Sequence, residues 1–208
     1  MDVWLLMKSM LIGVSIAAPV GPIGILCIQR TLGYGGRIGF ISGLGAACAD
    51  AVYGAIGAFG MAAVTAFLSS LAVPMALGGA VFLAWMGGKL LFEFPERASM
   101  KEAGPAKKVS SAQAFFSVFI LTLANPVTIL SFIAIFATLG GATVLPLEAS
   151  LVMVVGVFFG SSLWWLSLAV IVSAIRQRMG AGVRRGINIG SGLTLMVFAV
   201  WQVASLLL

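Results

Sequence analysis

Long apolar runs separated by short charged segments constrain this chain more than any other feature of its sequence. Each run is close to the length of about 20 residues that an α-helix needs to cross the hydrocarbon core of a bilayer. Since 61% of the 208 residues are hydrophobic and only 9% are charged, the sequence predicts an all-α integral membrane protein with six transmembrane helices. The predicted spans lie near residues 3–28, 38–62, 74–93, 112–139, 148–174 and 187–208.

Six spans leave little of the chain for a separate soluble domain. The longest polar segment, residues 94–111, carries both signs of charge. It has the composition of a solvated linker, although a gate or a contact with lipid headgroups stays open as an alternative. We therefore expect a single membrane domain over residues 1–208, in which this segment joins a half of about residues 1–93 to a half of about residues 112–208.

Basic residues alternate between the segments that separate the spans. The first, third and fifth segments carry arginine or lysine, whereas the second and fourth carry neither. Because cytoplasmic loops are enriched in basic residues, this alternation places the odd-numbered loops inside and both termini outside the cytoplasm, with only Lys8 departing from the pattern. The net charge of +6 therefore reflects membrane topology. It does not indicate nucleic-acid binding, since the basic residues are not gathered on one element.

Helix-breaking residues interrupt two of the predicted spans. In an apolar medium, proline removes a backbone donor, and an unpaired backbone group costs several kcal/mol. Broken helix is tolerated where protein or a water-filled cavity satisfies the freed groups, so the interruptions predict a cavity; the alternative is a plain kink that serves packing. The residues at these interruptions are Pro19, Val20, Gly21, Pro22, Asn125 and Pro126.

The two interruptions lie at matching points of the first and fourth spans, which suggests an internal repeat of three helices. Because three is odd, the halves would have opposite topology, an arrangement that many secondary transporters use. The second helix of each half adds a match, since Gly45 precedes Asp50 by the same five residues that separate Gly156 from Ser161. We therefore expect two inverted three-helix repeats with interrupted helices 1 and 4.

Asp50 is the one acidic residue deep inside a predicted span. A carboxylate at the membrane centre costs at least about 2.5–3.5 kcal/mol on insertion scales, so we expect Asp50 to face a cavity. Three roles are open to it. It can bind a substrate cation, exchange a proton that couples transport, or form a structural hydrogen bond to another helix, through Asn125 or a serine.

Residues suited to catalysis or metal binding are scarce. The chain has no histidine, which removes the commonest general base and the commonest metal ligand. Cys27 and Cys48 lie in apolar surroundings and are expected to be small buried hydrophobic side chains. We therefore expect no enzymatic activity, no metal site and no cofactor.

Three motifs together give the chain its family resemblance. Pro19-Val20-Gly21-Pro22 supplies a Pro-x-Gly-Pro motif in the first span, spaced glycines lead to Asp50 in the second, and Asn125-Pro126 is followed by Phe132 in the fourth. With these motifs and six predicted spans, the chain resembles the LysE/RhtB family of amino-acid exporters. It departs from the family pattern at Val127, where members often carry lysine or another polar residue.

This resemblance implies a secondary exporter in the bacterial cytoplasmic (inner) membrane, with a possible homodimer as its assembly. An amino acid would bind between the two broken helices, with Asp50 holding its amine or carrying a coupling proton for antiport. Freed carbonyls and half-helix N-termini at the interruptions would hold the two ends of the zwitterion. The alternative is an exporter of an inorganic cation or another small solute on the same architecture.

Overall fold

The structure, a computed structural model, describes residues 3–19, 21–59, 72–92, 109–138, 146–176 and 180–204. All regular secondary structure in these ranges is helical, which confirms the predicted all-α class. The helices are α1 (Val3–Ala17), α2 (Pro22–Tyr34), α3 (Gly36–Ala58), α4 (Ala72–Phe92), α5 (Ser111–Leu123), α6 (Pro126–Thr138), α7 (Leu147–Arg176) and α8 (Ala181–Ala204). The predicted linker, residues 94–111, lies mostly outside the described residues.

The first predicted span consists of two helices. α1 ends at Ala17, α2 begins at Pro22, and their axes meet at 81°. Proline is well tolerated at the first position of a helix, where its missing N–H would have no intrahelical partner. The predicted interruption is therefore confirmed, and Pro22 starts a new helix there.

The helix after the break extends beyond residue 28, the predicted end of the first span, because α2 continues through Gln29 and Arg30 to Tyr34. Gly35 ends the helix with φ +97, a left-handed conformation that favours glycine. The N–H of Gly35 donates to the carbonyl of Thr31 at 3.0 Å. The turn into α3 is consequently very short, and the last turns of α2 bring polar side chains among neighbouring helices.

The fourth predicted span is also two helices. α5 ends at Leu123 and α6 begins at Pro126. Asn125 caps α6, because its Oδ1 accepts a hydrogen bond from the N–H of Val127 at 3.1 Å. Thus Asn125-Pro126 ends one helix and starts the next, as predicted.

The long helices α3 and α7 pack against each other at the centre of the molecule, and each supports a shorter helix from the other half of the chain. α1 lies on α7, whereas α5 lies on α3. α2 packs against both central helices, and α4 pairs with α8. The two helix breaks are therefore positioned by the central pair.

Glycines allow the short helices to approach the central pair closely. A Cβ at Gly45 of α3 would lie 3.1 Å from the Phe119 N atom and closer still to the Phe115 carbonyl oxygen of α5. A Cβ at Gly156 of α7 would lie 3.0 Å from the Leu6 carbonyl oxygen and 3.2 Å from the Met10 N atom of α1. At both crossings, a glycine faces the carbonyl of one residue and the amide nitrogen four residues later.

The α4–α8 contact is reciprocal. A Cβ at Gly87 would lie 2.9 Å from the Gly192 carbonyl oxygen, and a Cβ at Gly192 would lie 2.9 Å from the Gly87 carbonyl oxygen. Gly87 also faces Met196, and Gly192 faces Leu91. Each helix therefore presents the same small surface to the other.

Several of the helices are suited to a bilayer. Within the described ranges, Gly36–Ala58, Leu147–Arg176 and Arg185–Ala204 are each long and apolar enough to cross a membrane, and α1 with α2 adds a fourth crossing if the bent pair counts as one span. Ala76–Phe92 and Ser111–Leu123 are shorter apolar helices. Large apolar side chains point outward along α4, α7 and α8, as expected for surfaces covered by lipid.

Candidate functional site: a cavity at the two helix breaks

Both helix breaks open onto one small cavity. Its volume is about 10 Å³, roughly the room that a single water molecule requires. A space of this volume is too small for an amino acid. The lining residues are Pro22, Ile23, Gly79, Leu83, Leu121, Ala124, Asn125 and Gln202.

Two of the six residues predicted at the interruptions line this cavity. Pro22 contributes from the start of α2 and Asn125 from the α5–α6 connection. Pro19 and Gly21 lie in the α1–α2 connection, where the Gly21 N–H donates to the Pro19 carbonyl at 2.8 Å, but they are not part of the lining. The structure therefore brings together one residue from each break.

The other two residues predicted at the interruptions are Pro126 and Val20. Pro126 is the first residue of α6 and follows Asn125 directly. Val20 lies outside the described residues. At the breaks, the described lining residues thus belong to the start of α2, the end of α5 and the α5–α6 connection.

Gln202 is a lining residue that the sequence analysis missed. Its side chain is 6% exposed, and its Nε2 donates to the Ala76 carbonyl of α4 at 2.6 Å. The available signal was a side-chain amide inside the last apolar run. A single neutral amide in an apolar helix is a weak signal, because it carries no charge and does not break the helix.

Asp50 lies in the interface between the central helices and is not part of the cavity lining. It is 3% exposed, and its Oδ2 accepts a hydrogen bond from Ser161 Oγ of α7 at 2.7 Å. Trp165 Nε1 donates to the same Ser161 oxygen at 3.2 Å. Of the contacts expected for Asp50, the hydrogen bond to a serine of another helix is present.

Tyr53 connects the helix of Asp50 to the second break. It lies three residues after Asp50, on the same face of α3. Its hydroxyl donates to the Leu123 carbonyl at 2.5 Å, and its ring centroid lies 5.4 Å from that of Phe132 in α6. Because Leu123 ends α5, its carbonyl is one of the four that the helix leaves without an intrahelical partner. The tyrosine hydroxyl satisfies it.

Arg30 ties α2 to the helices beside it. Its guanidinium donates to Ser42 Oγ of α3 at 3.0 Å, to the Ala114 carbonyl of α5 at 2.6 Å and to Ser117 Oγ of α5 at 2.7 Å. These bonds join α2 to both α3 and α5. Arg30, which was predicted to lie in a cytoplasmic loop, is therefore part of a packed helix.

The described residues contain no group of three or more His, Cys, Asp or Glu side chains that could hold a metal ion. Cys27 is buried, Cys48 is half-buried, and both thiols are free. The polar groups nearest the breaks are instead amides, hydroxyls and backbone carbonyls. Such groups can bind a small polar molecule without any resident ion.

Known proteins resemble this chain along most of its length. YcgF of Bacillus subtilis (strain 168), provisionally named an amino acid efflux protein, is 26% identical over 199 residues, which cover 94% of this chain and 93% of the relative. The uncharacterized membrane protein YahN of Escherichia coli (strain K12) is 31% identical over 159 residues, covering 74% of this chain and 69% of that protein. The leucine efflux protein of Enterobacter sp. (strain 638) is 25% identical over 185 residues, covering 86% and 83% respectively. No solved structure matches the chain.

A family comparison agrees with these relatives. The model of the LysE type translocators matches residues 14–205, a range that includes both helix breaks, the central helix pair and Gln202. The resemblance inferred from the sequence motifs is thereby confirmed, and this chain belongs to the LysE type translocator family.

Proposed function

We propose that this protein is a secondary transporter that exports amino acids or close derivatives from the cytoplasm. The observation that carries the proposal is that breaks in two separate apolar segments contribute Pro22 and Asn125 to the same cavity. A helix N-terminus carries partial positive charge and suits a carboxylate, while free carbonyls at a helix C-terminus suit an ammonium group. α2 begins beside the cavity, so its first N–H groups would bind the carboxylate of an amino acid. Asn125 lines the cavity from the second break, so its amide oxygen would be a partner for the ammonium group.

The architecture in this proposal is six transmembrane helices in two inverted repeats within one membrane transport domain. Helices α1 to α4 form one repeat and α5 to α8 form the other. A two-fold relation requires the packing of α1 on α7 to have a counterpart, and the packing of α5 on α3 supplies it. The matched surroundings of Gly45 and Gly156 support the same relation.

Contacts near the proposed two-fold axis add support. Residues that the repeat makes equivalent should touch one another only where the axis passes between them. Gly87 and Gly192, which lie in the paired helices α4 and α8, contact each other reciprocally. Asp50 and Ser161, matched in the sequence by their spacing from a glycine, share a hydrogen bond.

Transport in this proposal proceeds by alternating access. The cavity of about 10 Å³ must widen before an amino acid can enter, and rocking one half against the other would open it first to one side and then to the other. The protein would lie in the bacterial cytoplasmic membrane with both termini outside the cytoplasm, as the alternation of basic loops indicates.

Asp50 carries the coupling proton in this proposal. The hydroxyl of Ser161 can donate to the carboxylate and can also accept from the protonated acid, so it can stabilise Asp50 in either state. Through Tyr53, α3 reaches the backbone at the second break. Proton entry would also help when the substrate is a cation, because moving one positive charge out against an inside-negative potential costs about 2.3 kcal/mol per 100 mV.

The test is efflux from proteoliposomes preloaded with a panel of labelled amino acids, with and without an inward proton gradient. The purified protein is compared with Asp50→Asn and with Glu148→Gln, a control at an exposed acidic residue in the first turn of α7. We expect the gradient to stimulate export by the unaltered protein and by the control, and this stimulation to be absent in Asp50→Asn.

Two results would contradict parts of the proposal. Absence of export for every amino acid by a folded, correctly inserted protein would rule out amino-acid export and favour an inorganic cation or another solute. Gradient-stimulated export that survives in Asp50→Asn would leave amino-acid export standing but assign Asp50 a purely structural role.

A further inference from the structure

We propose that the cavity selects amino acids with uncharged aliphatic side chains and that Gln202 sets this preference. The inference rests on the proposed export of amino acids and adds the substrate class and a specificity residue outside the two broken segments. It follows from the chemistry of the cavity lining and from the position of α8.

The eight described lining residues include none with a charge. Ile23, Leu83 and Leu121 provide apolar side chains, whereas Asn125 and Gln202 provide amides. A lysine or arginine side chain placed here would have no carboxylate to pair with, and burying an unpaired charge is strongly unfavourable. An aliphatic side chain would instead bury its surface against the three apolar residues.

Asp50 does not supply the missing negative charge. It lies outside the lining and is bound to Ser161 in the central helix interface. Among the described lining residues, a cationic side chain would therefore meet amide and backbone dipoles but no carboxylate. The arrangement favours a zwitterion whose two charges are held by helix ends and whose side chain carries none.

Gln202 is placed where it can distinguish between substrates. It reaches the cavity from α8, and its Nε2 bonds the Ala76 carbonyl on the facing side of α4. Gly79 lies about one turn further along α4. A Cβ at this position would lie only 3.1 Å from Gln202 Nε2, so the glycine leaves room for the amide. Substrate in a widened cavity would therefore meet this amide.

A neutral amide at this position has a definite consequence for selectivity. It can donate to a carboxylate or accept from an ammonium group, but it cannot neutralise a charged side chain. Replacing it with a carboxylate of the same length would supply the charge that lysine or arginine requires. Gln202 would then be a specificity residue, in addition to joining α8 to α4.

The experiment measures export of leucine, alanine and lysine from preloaded proteoliposomes. Gln202→Glu is compared with the unaltered protein and with Gln113→Glu, which adds the same charge at an exposed residue in the first turn of α5. We expect the unaltered protein and the control to prefer leucine to lysine. In Gln202→Glu the ratio of leucine to lysine export should fall by about tenfold or more, as one charge-assisted hydrogen bond predicts.

A second pair of variants tests the cavity without adding charge. Gly79→Ala places a methyl group beside the Gln202 amide, whereas a Cβ at the neighbouring Gly78 would meet nothing within 4 Å. We expect Gly79→Ala to reduce leucine export several-fold more than alanine export, and Gly78→Ala to change neither. If Gln202→Glu does not fold, this pair still tests whether the substrate side chain lies in the cavity beside Gln202.

The results separate this inference from the proposed function. If the unaltered protein exports no amino acid, the proposed function fails. The inference alone is overturned if amino acids are exported but lysine leaves as readily as leucine, or if a folded Gln202→Glu keeps its selectivity. An equal loss of leucine and alanine export in Gly79→Ala would likewise contradict the assigned cavity.

Discussion

The Tyr53 hydroxyl shows how a single side chain makes a broken helix tolerable in an apolar surrounding. It donates to the Leu123 carbonyl, which the end of α5 leaves without an intrahelical partner. The phenol ring packs against Phe132 on the far side of the same break. One residue of α3 therefore fixes both helices that meet at Asn125-Pro126.

We expect Tyr53→Phe to lower the free energy of unfolding by about 1–3 kcal/mol, the cost of leaving a buried carbonyl unsatisfied. The measurement is denaturant unfolding of the purified protein in detergent. Tyr34→Phe is the matched control, because Tyr34 is exposed at the end of α2. Equal stability of the two variants would mean that the Leu123 carbonyl finds another donor.

At the scale of the element, two helices of the second half begin with a side-chain cap. Ser110 Oγ accepts from the Gln113 N–H at the start of α5, and Asn125 Oδ1 accepts from the Val127 N–H at the start of α6. Loss of either cap should cost about 1 kcal/mol of stability. Only Asn125 also lines the cavity.

A comparison of Asn125→Ala with Ser110→Ala therefore separates the effect of a lost cap on stability from an effect on transport. We expect similar losses of unfolding free energy in the two variants but a clear loss of amino-acid export only in Asn125→Ala. Unfolding in detergent and efflux from proteoliposomes measure the two effects. Equal export by both variants would show that the Asn125 amide serves the helix cap alone.

The crossing of α1 and α7 depends on glycine. A Cβ at Gly160 would lie 2.8 Å from the Met10 Cα and nearer still to the Met10 carbonyl oxygen. We expect Gly160→Ala to destabilise the protein by about 1–3 kcal/mol, because the helices must move apart. Gly88→Ala in α4 is the control, since a Cβ there meets nothing within 4 Å.

The control should not destabilise the protein. Alanine favours helix over glycine by up to about 1 kcal/mol, so Gly88→Ala should be neutral or slightly stabilising. Thermal unfolding followed by circular dichroism measures both variants. If Gly160→Ala is as stable as Gly88→Ala, the close approach of α1 and α7 is not a constraint on the fold.

At the scale of the whole molecule, the proposed inverted repeat can be tested at the contact between Asp50 and Ser161. If a two-fold axis passes near this contact, exchanging the two residues keeps a carboxylate bonded to a serine. Asp50→Ser and Ser161→Asp should each destabilise the protein. The double exchange should recover part of the loss, with a coupling energy of about 0.5–3 kcal/mol.

Unfolding of all four proteins completes this double-mutant cycle. Recovery should be incomplete, because Trp165 donates to Ser161 and the exchange alters that bond. Strictly additive losses would argue against equivalence of the two positions. Transport by the double variant would further indicate that the proposed proton-carrying carboxylate can act from either of the two positions.

Much of the fold was predictable because its causes are local. Each apolar run forms helix because backbone groups in hydrocarbon must be satisfied within the segment. Pro22 and Pro126 start new helices because proline lacks the N–H that a helix interior needs. Asp50 stood out because an ionisable side chain deep in an apolar span is costly, and its depth can be read from the sequence without knowing its partners.

What the tertiary structure decided is which groups meet. No local rule pairs Asp50 with Ser161, Tyr53 with the Leu123 carbonyl, or Gln202 with Ala76. These contacts join residues that are far apart in the chain, so they depend on how α3, α7 and α8 pack. The sequence by itself determined the helices, their breaks and the family, because each follows from residues that are neighbours along the chain. Only the packing of those helices brought the two breaks and the Gln202 amide to one cavity.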